Sequence, residues 1–141
     1  MQEDKDPAEA LRRLAERVRR ESENPRGKAW EAAESGRVVL LAGTRPRLWV
    51  VIGEEADYIV LPGTYCSCPH FMIRVLGEAE DKPCYHLVAV EAVRRGRAGR
   101  LVAVDATTDE LADILSEALL TGRSRTLRRL LYGGDAEPRR S

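Results

Sequence analysis

The chain has 141 residues, enough for one domain with a substantial hydrophobic core, and its 23 basic and 23 acidic residues give a formal net charge of zero. This balance does not indicate a strongly basic nucleic-acid-binding protein, and no apolar run approaches the roughly 18 residues of a membrane span. The polar, acidic start does not look like a secretory signal. We therefore expect a cytoplasmic protein, or one associated with the nucleoid or, in a eukaryote, located in the nucleus.

The N-terminal segment, residues 1–36, is predicted to be helical. After Pro7, apolar residues recur at helical spacing and arginines fill the positions between them. The arginine-rich side is either a solvated face with intrahelical ion pairs or a basic face that binds a partner. A short second helix, Lys28 to Ser35, carries Trp30, which we expect to anchor this segment in the core.

Three strands are predicted next. Apolar runs at Val38 to Ala42, Leu48 to Ile52 and Tyr58 to Leu61 are separated by short polar turns. Short connections between such runs favour an antiparallel meander. Pro62 and Gly63 end the third run, so the segment that follows begins where a hairpin ends.

All three cysteines and one of the two histidines fall within the short segment 66–86 that follows. The pair Cys66-x-Cys68 is separated by fifteen residues from the pair Cys84-x-His86. Three thiolates and one imidazole suit tetrahedral coordination, so the pattern predicts one structural Zn²⁺ ion. Four protein ligands leave no position for water or substrate, so no enzymatic activity is expected.

Other functions of these residues have to be weighed against a metal site. A disulfide framework is disfavoured by the odd number of cysteines and by the expected cytoplasmic location. A catalytic cysteine with a histidine base, a redox site and simple burial in the core are the remaining alternatives. The second histidine, His70, is interpreted as an ordinary surface residue or a neighbour of the site.

The segment between the two ligand pairs is mixed. Phe71 to Leu76 is apolar and predicts one or two helical turns, whereas residues 77–82 predict a charged surface loop. Pro83 comes before Cys84, which we place at or near the start of a helix that ends around Gly96. Arg74 and Lys82 are candidates to balance the charge of three thiolates.

The spacing of the ligand pairs resembles the SWIM zinc finger, whose pattern is Cys-x-Cys, a variable spacer and Cys-x-His. Ala89, three residues after His86, stands where that family favours alanine. The flanking strands and helices are similar to those of the small SWIM-domain subunit of the Shu complex. This resemblance covers roughly Leu48 to Leu120. It implies an accessory protein that binds a RecA-family recombinase paralogue and supports homologous recombination and DNA repair.

The segment after the predicted finger contains a compact basic run with two glycines. Its arginines are candidate phosphate contacts, and the alternative is a solvated linker between helices. The run consists of Arg94, Arg95, Arg97 and Arg100. Direct binding of DNA through these arginines is the second functional hypothesis. Tyr85 stands where relatives often have a basic residue, which weakens a nucleic-acid contact at that position.

The C-terminal part, residues 97–132, is predicted to be mainly helical. Leu101 to Val104 is interpreted as a short apolar connection, and Thr107-x-x-Glu110 is a capping box that opens a helix. That helix carries an apolar stripe, which either packs on the sheet or binds a partner. The stripe consists of Leu111, Ile114, Leu115, Ala118 and Leu119. Residues 133–141 are predicted to be disordered.

Together these patterns predict an α+β fold in a single domain, 1–141. An antiparallel β-meander leads into a zinc-stapled ββα unit, and helices flank it at both ends. Residues 37–96 carry the strands and the finger, with 66–86 as its central motif.

Overall fold

The computed structural model describes residues 6–78, 80 and 82–133, and within them the fold is α+β. A five-stranded mixed sheet has the order β4-β3-β2-β1-β5. Its strands are β1 (Val38–Ala42), β2 (Leu48–Ile52), β3 (Asp57–Leu61), β4 (Tyr65–Cys66) and β5 (Val102–Asp105). Helices cover both faces of this sheet.

Strands β1 to β3 form the predicted antiparallel meander, and the short β4, which was not predicted, pairs antiparallel with β3. Val39 of β1 lies opposite Val50 of β2, and Val50 lies opposite Ile59 of β3. Successive side chains alternate between faces, so Leu40 joins one hydrophobic core while Val39 joins the other. A sheet covered on both sides needs apolar residues at every position, which explains why the strands read as continuous apolar runs.

One face of the sheet holds α1 (Pro7–Ser22), α2 (Gly27–Glu34), a π-helix (Phe71–Gly77) and α3 (Tyr85–Arg94). Asp6 caps α1 by accepting a hydrogen bond from the backbone N–H of Ala8. Leu14 and Val18 of α1 are buried in the core of this face. The π-helix confirms the predicted helical turns, and α3 begins directly after Cys84 as expected.

The prediction that Trp30 anchors α2 in the core is wrong. Its side chain is 51% exposed. Helix α2 packs through small residues instead, with Ala29, Ala32 and Ala33 buried. Alanines on the buried side let α2 approach α3 closely, and this geometry turns the indole outward.

The other face holds α4 (Thr108–Ser116), which continues as a π-helical segment (Glu117–Thr121), and α5 (Arg125–Tyr132). The predicted capping box is present: Thr107 Oγ1 accepts from the N–H of Glu110, and Glu110 accepts from the N–H of Thr107. Ile114, Ala118 and Leu127 close the core of this face.

Most of the segment Leu101 to Val104, interpreted above as a connection, belongs to a strand. Val102–Asp105 pairs in parallel with β1, so the sheet is mixed rather than wholly antiparallel. Its alternation of partly buried and exposed residues is a weak strand signal.

The predicted α+β class is confirmed, and the predicted disordered tail lies outside the described residues from position 134 onward. No helix within the described ranges combines the length and the apolar character of a membrane span.

Candidate metal centre

Three neighbouring parts of the fold bring the four predicted ligands together. Cys66 ends β4, and Cys68 follows in the turn before the π-helix. Cys84 is the N-cap residue of α3, with extended backbone (φ −73°, ψ 159°), and His86 lies in the first turn of that helix. Alternate positions of a strand end and of a helix start therefore aim their side chains at one point.

The ligand atoms of the four residues form a tight cluster. Their three sulfurs and an imidazole nitrogen all lie within 4.8 Å of one another, and all four residues are buried. In a tetrahedral metal site with bonds of about 2.3 Å, neighbouring ligand atoms lie about 3.8 Å apart. The cluster therefore has the size and the donor set to hold a metal ion.

The surroundings of His86 point to the same conclusion. Both of its ring nitrogens are buried, and neither has a hydrogen-bond partner within the described part of the chain. A buried polar atom without a partner is costly, so such a group calls for a ligand. The rings of Tyr58 and Tyr85 pack on the imidazole, with centroids 4.6 Å and 4.0 Å away, and fix its orientation.

The thiols are too close together to ionise independently. Hydrogen bonds with Cys68 and Cys84, together with burial, raise the pKa of Cys66. The pKa of Cys68 is lowered, first by the thiol of Cys66 and then by that of Cys84. Contact with Cys66 lowers the pKa of Cys84, but contact with Cys68 and burial outweigh it and raise that pKa to about 12. Neighbouring thiolates repel one another, so a cation is needed for all three to be ionised together.

A backbone N–H and two tyrosines are neighbours of the sulfurs. The backbone N–H of Phe71 donates to Cys68 Sγ at 3.5 Å, which supports a thiolate at that position. Tyr58 and Tyr65 border the cluster, and burial followed by the neighbouring sulfurs raises the pKa of each phenol, so both stay neutral near pH 7. A mainly apolar wall of this kind shields a bound ion from water.

The other residues that the sequence suggested near the site have different roles. His70 Nε2 donates to the carbonyl oxygen of Lys82 at 2.9 Å, outside the ligand cluster, and so ties the two ends of the spacer together. Arg74 is engaged with Glu78 at 3.8 Å and Glu80 at 3.7 Å. Its charge is therefore directed along the spacer loop.

The four arginines of the basic run have unequal surroundings. Arg94 makes a two-point contact with Glu91, and its Nη2 lies 2.6 Å from Glu91 Oε2. Arg95 lies 3.9 Å from the carboxylate of Glu23 and donates to the backbone oxygen of Arg19. Arg97 and Arg100 are exposed, and within the described chain neither side chain has a hydrogen bond or an ion pair.

The loop that carries these arginines is held in place. The backbone N–H of Gly99 donates to Glu34 at 2.9 Å, at the end of α2. Gly99 has a positive φ of +66°, and a Cβ there would overlap the carbonyl of Ala33. The glycine in this run therefore serves close packing, which the sequence did not reveal.

The apolar stripe of α4 is divided between the core and the surface. Ile114 and Ala118 are buried in the core of their face, and Leu111 and Leu115 pack against it. Leu119 is 53% exposed, and the adjacent Leu120 is 83% exposed. Only the C-terminal end of the stripe is therefore accessible to a partner.

Sequence reasoning missed the two tyrosines that pack on His86. Tyr85 lies between two ligands and could have been noticed for that reason. Tyr58 lies on β3, and only the alternation of that strand places it on the same face as the cluster.

Comparisons of the chain with models of protein families, with curated proteins and with solved structures found no match.

Proposed function

We propose that this chain is a zinc-binding accessory protein of the SWIM type, which binds a RecA-family recombinase paralogue and supports homologous recombination. The observation that carries the proposal is the closed, buried cluster of three cysteines and one histidine with Cys-x-Cys and Cys-x-His spacing. Zn²⁺ favours this donor set, and four protein ligands complete its tetrahedron. The ion then serves structure rather than catalysis.

In this proposal the metal acts as a cross-link. Cys66 and Cys68 come from the end of the meander, while Cys84 and His86 come from the start of α3. When bound, the ion would neutralise two of the three thiolate charges and fix this helix on the sheet. The protein surface that a partner meets would then depend on the metal.

The first test is the metal itself. Elemental analysis of the purified protein should give about one zinc per chain, and Cys84→Ser should lose it, because a three-ligand site binds Zn²⁺ far more weakly. His70→Ala is the matched control, since His70 lies outside the cluster. A protein without zinc, or a Cys84→Ser protein that keeps it, would contradict the proposed site.

The second test addresses the partner. The protein should co-purify with a RecA-family paralogue when the two are expressed together, and Leu119→Ser with Leu120→Ser should weaken the complex because these leucines are exposed. Leu101→Ser, at another exposed leucine, is the control. If the zinc-loaded protein recovers no such paralogue, the recombination role is wrong although the metal site stands.

Direct DNA binding is the second candidate, and the exposed, unpaired side chains of Arg97 and Arg100 favour it. Binding should weaken steeply with salt, and alanine at both positions should lower the salt slope by about 0.9 for each phosphate that is no longer neutralised. The paired change Arg20→Ala with Arg26→Ala removes equal charge from exposed positions elsewhere. If the Arg97/Arg100 double variant and the Arg20/Arg26 double variant change DNA binding equally, the loop that carries Arg97 and Arg100 is not the DNA-binding site.

A further inference from the structure

A groove of about 890 Å³ lies on the α1 side of the sheet, away from the metal centre. Helix α1 forms one wall, and the turns between β1 and β2 and between β3 and β4 contribute to the other. Glu91 and Arg94, at the C-terminal end of α3, border it, whereas His86 lies in the first turn of that helix. A volume of this size accommodates a small ligand.

The groove carries a net positive charge. Arginines from three separate elements line it, against two glutamates, which leaves a formal charge of plus two. Arg94 is neutralised by Glu91 at 2.6 Å, and Arg12 lies 3.5 Å from Glu9. Within the described residues, Arg19 of α1 and Arg47 of the β1–β2 turn have no ion-pair partner, so their charges are available to a ligand.

Trp49, whose indole N–H is buried, also lines the groove. Trp49 lines it from the central strand β2, and its side chain is only 2% exposed. Its indole Nε1–H is buried and has no acceptor within the described residues. A donor left without an acceptor costs about 1–3 kcal/mol, so an acceptor brought by a ligand would recover this loss.

We propose that this groove binds a phosphate group, with Arg19, Arg47 and the Trp49 indole as its donors. A phosphate anion complements the net positive charge of the lining. Its tetrahedral oxygens can accept from donors on several elements, whereas a carboxylate offers two oxygens in one plane. The phosphate belongs either to a small phosphorylated molecule or to a nucleic-acid strand.

The indole of Trp49 supplies a direct readout. The chain has two tryptophans, so the ¹H–¹⁵N spectrum of the zinc-loaded protein contains two indole signals, and Trp30→Phe assigns them. Inorganic phosphate, added at constant ionic strength, should shift the Trp49 signal and leave that of the exposed Trp30 in place. A short oligothymidylate and succinate are titrated in parallel.

Matched variants then test the donors. Arg19→Gln should weaken phosphate binding about tenfold, because it removes a hydrogen bond to a charged group. Arg20→Gln, the exposed neighbour that does not line the groove, should change it less than about twofold. Trp49→Phe should also weaken binding without unfolding the protein, since it removes the unpaired donor and keeps an aromatic ring.

Each outcome has a definite meaning. A Trp49 shift with inorganic phosphate supports a small phosphorylated ligand, and a shift with the oligothymidylate alone supports a nucleic-acid strand. A shift with neither probe overturns the proposal, as does succinate binding as strongly as phosphate. Equal effects of Arg19→Gln and Arg20→Gln would also overturn it. None of these results depends on the proposed recombinase partner.

Discussion

The two histidines of the chain differ sharply in their surroundings. His86 is buried, packs against the rings of Tyr58 and Tyr85, and has no partner for either ring nitrogen in the described chain. His70 contacts a backbone carbonyl at the edge of the spacer. The sequence pattern singled out His86 because the Cys-x-His spacing includes only that histidine, and the structure places His86 in the cluster of cysteines.

The expected result follows from this contrast. His86→Ala should lose most of the bound metal, whereas His70→Ala should keep about one equivalent, since only the first removes a tetrahedral ligand. Metal content after dialysis against a weak chelator is the measurement. If both variants retain metal equally, His86 is not a ligand and the fourth position belongs to another group.

A second residue-scale feature is the buried ion pair between Asp57 and Arg128. Arg128 Nη2 lies 2.6 Å from Asp57 Oδ1, and Asp57 Oδ2 also accepts from the N–H of Ser124 at 2.8 Å. These contacts join the start of β3 to α5. The sequence could not predict this pair, because the two residues are 71 positions apart.

Removing one partner of this pair should be costly. Asp57→Ala should lower the free energy of unfolding by about 3–5 kcal/mol, because the buried guanidinium of Arg128 then lacks its ion-pair partner. Urea unfolding measures the change, with the exposed Asp113→Ala as control. The double change Asp57→Ala with Arg128→Ala should cost less than the sum of the single changes. Additive effects would mean that the two side chains do not interact.

At the scale of the element, Glu117 joins the π-helical segment to α5. Its carboxylate accepts from the hydroxyl of Ser124 at 2.8 Å, and from the backbone N–H and the hydroxyl of Thr126, both at 3.0 Å. Burial raises the pKa of Glu117, but these hydrogen bonds outweigh it, and the net pKa is lowered. The ionised form therefore stabilises the folded state.

The pH dependence follows from that direction. The pKa of Glu117 is lower in the folded than in the unfolded state. The stability that ionised Glu117 contributes is therefore fully present above its unfolded pKa of about 4.3, and it is lost as the pH falls through its folded pKa. Glu117→Gln should therefore be less stable than the wild type at pH 7 and equal to it at strongly acidic pH. Thermal unfolding at several pH values checks this. Glu31→Gln, at an exposed carboxylate, should differ little from the wild type at any pH, and a matching pH profile in that variant would contradict the assignment.

The elements themselves were predictable to different degrees. The meander was found because short polar turns separate its apolar runs, and α4 was found because its capping box and stripe are local signals. Strand β5 was missed, since its pairing with β1 is a long-range contact that four residues cannot encode. Trp30 was misplaced because large aromatic residues are usually buried, and nothing local reveals that α2 packs through alanines.

At the scale of the whole molecule, the sheet separates two cores that share no side chains. The metal centre belongs to the core beneath α1, α2 and α3, whereas Ile114 and Leu127 belong to the opposite core. Cys66, Cys68 and Cys84 are themselves part of the first core. Loss of the proposed ion should therefore affect the two faces unequally.

Hydrogen exchange tests this asymmetry. After treatment with a strong chelator, amides of α3 around Leu87 to Val93 should lose protection, because the cross-link that holds this helix is gone. Amides around Ile114 and Leu127 should keep most of theirs. Uniform loss on both faces would mean that the domain unfolds as one unit, and unchanged exchange would mean that the metal does not hold the fold.

The parallel pairing of β5 with β1 also affects how the chain is made. Val39 and Val102 are partners, yet synthesis adds the second 63 residues after the first. Until β5 leaves the ribosome, the nascent meander presents an unpaired apolar strand at its edge, which can pair with strands of other chains. Growing chains stalled between β4 and β5 should therefore need a chaperone that chains stalled beyond β5 do not.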